Sequence, residues 1–314
     1  MSLKFVYALI SNADDYYAEQ TLISMHTLRY HNPTAHITLV ANDDTLSTLT
    51  GNRARIKDYI DEYVTVNPPA EFTSVQKSRF IKTSLRQTVE GDFLYIDNDT
   101  IIAGSLHKLE ELECEMGAVL DLHSTITGNG QLKEYLAITK KEFWGYERYF
   151  NGGVLFVRDT AFTHKLFADW HRIWNEELIK YGLSKDQPAF AQANVANGCL
   201  ITEIEGRYNC QIFMPNGKNY ISTAKIIHYF YNSRNKNFYI LSILNRLKEE
   251  GMTDELNDIV SSPYFILSNY IFLDDVEAKL YTSPMSILGR KLARDFAWTN
   301  KVAKFLYKIF GFNI

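Results

Sequence analysis

Short apolar runs alternate with stretches whose apolar residues recur every three or four positions, and this alternation fills the first three quarters of the chain. Phe5-Val6-Tyr7-Ala8-Leu9-Ile10 is continuous and apolar, as expected of a strand buried on both faces. From Glu19 to Tyr30, Leu22, Ile23, Met25 and Leu28 keep a helical rhythm. His36 to Ala41 predicts a second strand, Arg53 to Tyr59 a helix, Tyr63 to Val66 a third strand and Ser78 to Thr88 another helix. Phe93-Leu94-Tyr95-Ile96 predicts a fourth strand that ends directly in Asp97-Asn98-Asp99. Strand signals return at Ala118 to Asp121 and Gly153 to Val157, followed by a long amphipathic helix from Phe162 to Leu178. Ile226 to Phe230 is a late apolar run with His228 inside it. Strands alternating with helices imply a doubly wound, mostly parallel α/β sheet with helices on both faces. Beyond Asn237 the pattern turns helical and less regular, so the predicted organisation is an α/β domain over 1–240 and a smaller helical appendage over 241–314. Internal repeats and low-complexity stretches are absent.

At 314 residues, 46% hydrophobic and 22% charged, the chain can bury a large core and reads as soluble and globular. Its net charge of −4 gives no global reason to expect a nucleic-acid partner. The 20 Tyr and 19 Phe suit ring stacking on bases or sugars and suit core packing equally well. Cys114, Cys199 and Cys210 are odd in number, widely spaced and in no zinc pattern, which predicts reduced thiols and a cytoplasmic protein. The six-residue apolar run at the N-terminus is too short for a signal-peptide core, and no 18-residue apolar stretch exists to span a membrane.

In doubly wound sheets, ligands bind beyond the carboxyl ends of the strands, and the candidate chemistry gathers there. Asp97 and Asp99, at i and i+2 after a buried strand, can aim two carboxylates at one point. Hard oxygen ligands of this kind suit Mn²⁺ or Mg²⁺, although a polar strand-to-loop turn reads the same. Phe150-Asn151-Gly152-Gly153-Val154-Leu155-Phe156 places an amide and two glycines before a buried strand, where the backbone can approach a bulky ligand or simply turn. Ser184-Lys185-Asp186-Gln187-Pro188 sets an Asp-Gln pair at a predicted helix start, where Asp186 also fits a plain cap. His228 fits a satisfied core histidine, yet Arg234 and Lys236 follow closely, as in a loop around a diphosphate.

Taken in order, these segments resemble the family-8 glycosyltransferases, a retaining group of the GT-A fold, from about residue 3 to 238. The resemblance implies transfer of a hexose, glucose or galactose, from a UDP-sugar to a glycan, glycoprotein or glycolipid acceptor in cell-surface polysaccharide or adhesin glycosylation. It implies that Asp97, Asp99 and His228 bind Mn²⁺ (or Mg²⁺), which holds the donor diphosphate. It further implies that Ala8 to Tyr17 receives the nucleotide, with Tyr17 stacking on uracil, Asp14 near the base and Asn98 counted with this set. Arg79, in Lys77-Ser78-Arg79-Phe80, matches a basic residue near sugar and diphosphate; Asp121, Asn151, Asp186 and Gln187 match positions that hold the donor sugar, Gln187 beneath the anomeric carbon. The family's His-x-x-Gly-x-x-Lys-Pro-Trp segment is altered: His228-Tyr229-Phe230-Tyr231-Asn232-Ser233-Arg234-Asn235-Lys236-Asn237-Phe238 lacks its Gly, Pro and Trp, so either Arg234 or Lys236 is the diphosphate cation.

Rival readings fit less well. A phosphatase loop Asp-x-Asp-x-Thr needs Thr in fifth place, where Ile101 stands. A nucleotidyltransferase would open with a Gly-rich loop, whereas Ser11-Asn12-Ala13-Asp14-Asp15 has no glycine. A non-catalytic nucleotide-sugar-binding or scaffold protein stays open, because ligands alone do not prove turnover. The tail differs from the body. Residues 285–314 carry Arg290, Lys291, Arg294, Lys301, Lys304 and Lys308 against Asp295, a net of +5, so the preceding 284 residues carry −9. With Leu288, Leu292 and Phe296 every fourth residue and Trp298 nearby, this tail suits an anionic membrane at the inner face. Its apolar side would equally cover the catalytic domain or a second subunit of a homodimer.

Overall fold

The computed structural model describes residues 3–124, 130–141, 148–212, 215–230 and 238–261, with tail residues 284, 285, 288, 292, 296, 298 and 302. In chain order the elements begin β1 (Lys4–Leu9), α1 (Tyr17–His31), β2 (His36–Ala41), α2 (Asp43–Thr48), β3 (Glu62–Thr65), α3 (Ser74–Thr83) and α4 (Leu85–Thr88). There follow β4 (Phe93–Ile96), β5 (Thr100–Ile102), β6 (Met116–Leu120), α5 (Gly130–Thr139), β7 (Phe150–Val157), α6 (Ala161–Tyr181) and α7 (Gln187–Ala196). The last are β8 (Thr202–Glu203), β9 (Cys210–Gln211), β10 (Ile226–His228), α8 (Phe238–Glu250) and α9 (Asp254–Ser261).

Seven strands form the main sheet in the order β3-β2-β1-β4-β7-β6-β8. Only β7 runs against its neighbours, pairing antiparallel with both β4 and β6, so the sheet is mostly parallel as the alternation predicts. Alternation of side chains along each strand divides the core between the two faces. Phe5, Tyr7 and Leu9 of β1 pack with α1 and a small second sheet, whereas Val6, Ala8 and Ile10 pack with α3, α6 and α7. Helix α6 shows how the local sequence sets an element. Thr160 caps its start in a box with Thr163, Gly182 closes it at φ 68°, and Leu166, Phe167, Trp170, Ile173, Trp174 and Leu178 form its buried stripe. Trp170 and Trp174 are wholly buried, and truncating either to Ala would cost about 3–5 kcal/mol.

Several expected boundaries move, each for a physical reason. The helix expected over Arg53 to Tyr59 is a 3-10 helix, Gly51–Tyr59, in which only Arg53 and Ile56 are buried. Arg53 is buried because Glu19 takes it at 2.6 and 3.0 Å while it donates to the carbonyls of Asn12 and Asp15. The helix expected over Ser78 to Thr88 starts earlier, at a Thr73–Gln76 capping box, and breaks at Ser84. There the Thr83 and Ser84 hydroxyls bond back to carbonyls of the preceding turn, which weakens the helical ladder. Asn151, Gly152 and Gly153 lie within β7 rather than in a turn before it. The late apolar run contributes β10 to the second sheet, β5-β10-β9, where His228 stands opposite Thr100. Of the C-terminal helices, α8 and α9 lay Ile240, Ile243, Leu244, Leu247, Leu256 and Val260 into the core beside α1.

Candidate functional site

The chain between β4 and β5 is three residues long, and it links the main sheet to the small one. Asp97 leaves the end of β4, Asp99 precedes β5, and β10 brings His228 to the same point. One atom from each of these three side chains lies within 4.8 Å of the others. The three side chains are close enough to hold one metal ion among their donors. Two carboxylates and an imidazole also suit Mn²⁺ chemically.

The trio sits in a cavity of about 440 Å³, within the range of small-molecule sites. Ala8, Ile10, Tyr17 and Gln20 line one side; α3 supplies Ser74, Val75, Ser78, Arg79 and Lys82; Asn151, Gly153, Asp186 and Gln187 complete it. The cavity thus brings together the predicted residues Ala8, Tyr17, Arg79, Asp97, Asn98, Asp99, Asn151, Asp186, Gln187 and His228. Asp14 is exposed and Asp121 buried, and neither belongs to the lining. Asp121 stands behind it and accepts the Asn151 amide at 2.9 Å. Asn98 turns inward and donates to the Ala8 carbonyl at 3.1 Å, which ties the β4–β5 link to the end of β1. Arg234 and Lys236 lie outside the described residues.

Sequence reasoning missed Lys82, one helical turn beyond Arg79. Its ammonium lies 3.2 Å from Asp97 and 3.7 Å from Asp186, over the Tyr95 ring at 5.1 Å. Tyr95 donates its hydroxyl to Asp97 as well. Burial, with Asp97 alongside, pushes the Tyr95 phenol well above its usual range, so it stays a donor. Arg79 pairs with Asp186 at 3.0 Å, and that carboxylate holds the guanidinium charged, above its usual range. Asp186 occupies the cap position of α7, but its side chain makes no cap bond. Among the described residues, Arg79 Nε and Asp186 Oδ2 are buried with charge partners yet no aligned hydrogen bond. Gln20 is 1% exposed, lines the cavity and has neither amide atom bonded. A buried polar group in that state is normally met by water or ligand. Its helical spacing from Tyr17 is the only sequence signal that could have found it.

Three carboxylates (Asp97, Asp99, Asp186) thus line the cavity with three cations (Arg79, Lys82, Lys185), and a divalent cation would leave the lining positive towards a diphosphate. Gly153 closes the back of the site. A Cβ there would come within 2.8 Å of Asp97 Oδ2 and 2.9 Å of Asn151 Oδ1 and would overlap the His228 ring, so only glycine fits. Phe230, at φ 48°, stacks on His228 with ring centres 3.9 Å apart.

Residues 8–236 match the family described as Glycosyl transferase family 8, and the chain belongs to that family. Solved structures share its GT-A fold. The galactosyltransferase LgtC, solved with donor and acceptor sugar analogues, aligns with a TM-score of 0.54 at 17% identity, over 82% of this chain and 99% of that one. GlyE, a glycosyltransferase of Streptococcus pneumoniae TIGR4, aligns at 0.52 and 19% identity, over 85% of this chain and 64% of its own. The bifunctional glycosyltransferase WbbM aligns at 0.53 and 17% identity, over 74% of this chain and 46% of its own. No curated protein sequence matches the chain.

Proposed function

We propose that this member of glycosyl transferase family 8 is a metal-dependent, retaining hexosyltransferase that moves glucose or galactose from UDP to a glycan, glycoprotein or glycolipid acceptor in cell-surface polysaccharide or adhesin glycosylation. The observation that carries this reading is one cavity with Tyr17 on its wall, the Asp97–Asp99–His228 trio at its floor, and Arg79 and Lys82 between Asp97 and Asp186. Asp97, Asp99 and His228 would hold Mn²⁺ or Mg²⁺, which when bound supplies Lewis-acid stabilisation of charge on the departing UDP, worth several kcal/mol. Tyr17, 42% exposed, offers its face to the uracil ring, and Gln20 and Asn98 flank that end. Arg79 and Lys82 give preorganised donors to phosphate oxygens, joined by Arg234 or Lys236 from the following segment. Asn151, backed by Asp121, and Asp186 fix the sugar hydroxyls. Gln187 lies at the anomeric centre, where an amide is a poor nucleophile. The acceptor hydroxyl therefore attacks on the face the leaving group departs from, the sugar–phosphate bond breaks, and a leaving phosphate oxygen takes the acceptor proton.

We also propose that the enzyme works in the cytoplasm at the inner membrane face, attached by residues 285–314. No helix among the described residues is long and apolar enough to cross a membrane. Met285, Leu288, Leu292, Phe296, Trp298 and Val302 are all exposed, at 39% to 77%, which suits insertion into a lipid surface. The interleaved basic residues of the tail lie outside the described residues.

The test is UDP release from a panel of UDP-sugars with Mn²⁺ and with EDTA. Metal-dependent release from UDP-glucose or UDP-galactose is expected. Tight donor binding with no turnover on any acceptor or water would point to a binding protein instead.

A further inference from the structure

His228 has a partner on each ring nitrogen: Nδ1 is 3.0 Å from Asn209 Oδ1, and Nε2 is 3.1 Å from Asp99 Oδ1. An imidazole nitrogen donates or accepts according to where the proton sits, so the Asn209 contact decides what Nε2 can offer. The direction of that contact follows from its neighbours. The Gly153 backbone N–H, which can only donate, lies 2.8 Å from Asn151 Oδ1. That atom must be the amide oxygen, and Asn151 Nδ2 accordingly donates to Asp121 at 2.9 Å. Asn209 approaches the same Asn151 oxygen at 2.8 Å and must offer it an amide hydrogen. The Asn209 oxygen is thereby turned to His228, so Nδ1 carries the proton. In the neutral ring, Nε2 then presents a lone pair to the Asp99 carboxylate. Nε2 and Asp99 Oδ1, 3.1 Å apart, are placed to share a divalent cation. Asn151, Asn209 and His228 are 4%, 0% and 2% exposed, so water does not compete with the chain of bonds.

We propose that Asn209 is a positioning residue of the metal site: held by Asn151 and the Gly153 backbone, it keeps His228 as the Nδ1–H tautomer with Nε2 open to a divalent cation. This deepens the metal-dependent reading above and rests on it. Outer partners of this kind fix the tautomer of metal-binding histidines, and their loss costs about 10–100-fold in metal affinity.

The experiment combines ¹⁵N spectra of histidine-labelled, metal-free protein at about pH 8, above the usual histidine range, with Mn²⁺ titration followed by EPR. The His228 resonances are assigned from a His228→Gln variant. In the wild-type protein the proton should be found on Nδ1. In Asn209→Ala it should move to Nε2, and the Mn²⁺ dissociation constant should rise about 10–100-fold. A merely structural asparagine would lower the melting temperature without moving the tautomer. A wild-type proton on Nε2, or a folded Asn209→Ala with unchanged Mn²⁺ affinity, overturns the proposal. Asn209→Leu, which keeps the branched shape without the hydrogen bonds, serves if the alanine variant fails to fold, and a wild-type proton on Nε2 overturns the proposal whichever Asn209 variant folds. If wild-type protein binds no Mn²⁺, the metal-dependent function falls, while the spectrum still judges the tautomer.

Discussion

Lys82→Met tests the electrostatics of the cavity directly. The ammonium lies 3.2 Å from Asp97 and 3.7 Å from Asp186, and the residue is only 4% exposed. At an effective dielectric of about 20, a unit pair near 4 Å attracts by about 4 kcal/mol, so the gross attraction is roughly 8 kcal/mol. Desolvation of the ammonium takes back several kcal/mol, and removing one partner of a buried pair costs about 3–5 kcal/mol. Two features lower that figure here. The Asp97 side chain is 22% exposed, and Arg79 stays with Asp186 at 3.0 Å. The expected loss is about 2–3 kcal/mol in EDTA, read from urea unfolding at fixed ionic strength. Mn²⁺ should then stabilise the variant more than the wild type, because the cation meets a floor with one positive charge fewer, at about 1.4 kcal/mol per tenfold gain in affinity. Stability within about 0.5 kcal/mol of wild type in EDTA, or equal Mn²⁺ responses, would refute the reasoning.

Three further outcomes are expected. Asp99→Asn should abolish Mn²⁺-dependent UDP release with the circular dichroism spectrum intact, because Asp99 sits in the partly exposed link between two strands; near-normal turnover would remove it from the metal site. Gln187→Ala should lower kcat by more than it raises the donor KM, and NMR of the new linkage should show the donor's α configuration; a pure KM effect or a β linkage would dismiss its anomeric role. Removal of residues 285–314 should leave an enzyme active on soluble acceptors that no longer sediments with phosphatidylserine-containing vesicles. Full-length protein that ignores such vesicles at low salt would show the tail to be structural.

What could be read from the chain alone follows the range of the forces involved. Strands β1, β2 and β4 and helix α6 are legible because their signals are local: continuous apolar runs, or a stripe with caps at each end. The two-residue strands β8 and β9 carry no such signal, since pairing with distant partners creates them. Gly152 and Gly153 imitate a turn in sequence, but their cause is the crowding of Asp97, Asn151 and His228 around one backbone, a contact between remote segments. Lys82, Gln20 and Asn209 escaped for a similar reason. Each is an ordinary polar residue until burial removes its water, and burial at these positions depends on the whole fold. Asp97, Asp99 and Asn151 were legible because short motifs mark them.

The β4–β5 link has a consequence for how the chain comes into being. Asp97 and His228 are separated by 131 positions and meet only when β10 docks against β5 and the Tyr229 N–H reaches the Asp99 carbonyl at 3.1 Å. At about 5–20 residues per second, a ribosome needs about 7–26 seconds to travel that interval. Through all of it the two carboxylates exist without the imidazole, and a nascent chain that stalls earlier never gains it. Assembly of the proposed metal site is therefore a late event in the life of each molecule, complete only after the two sheets have found one another.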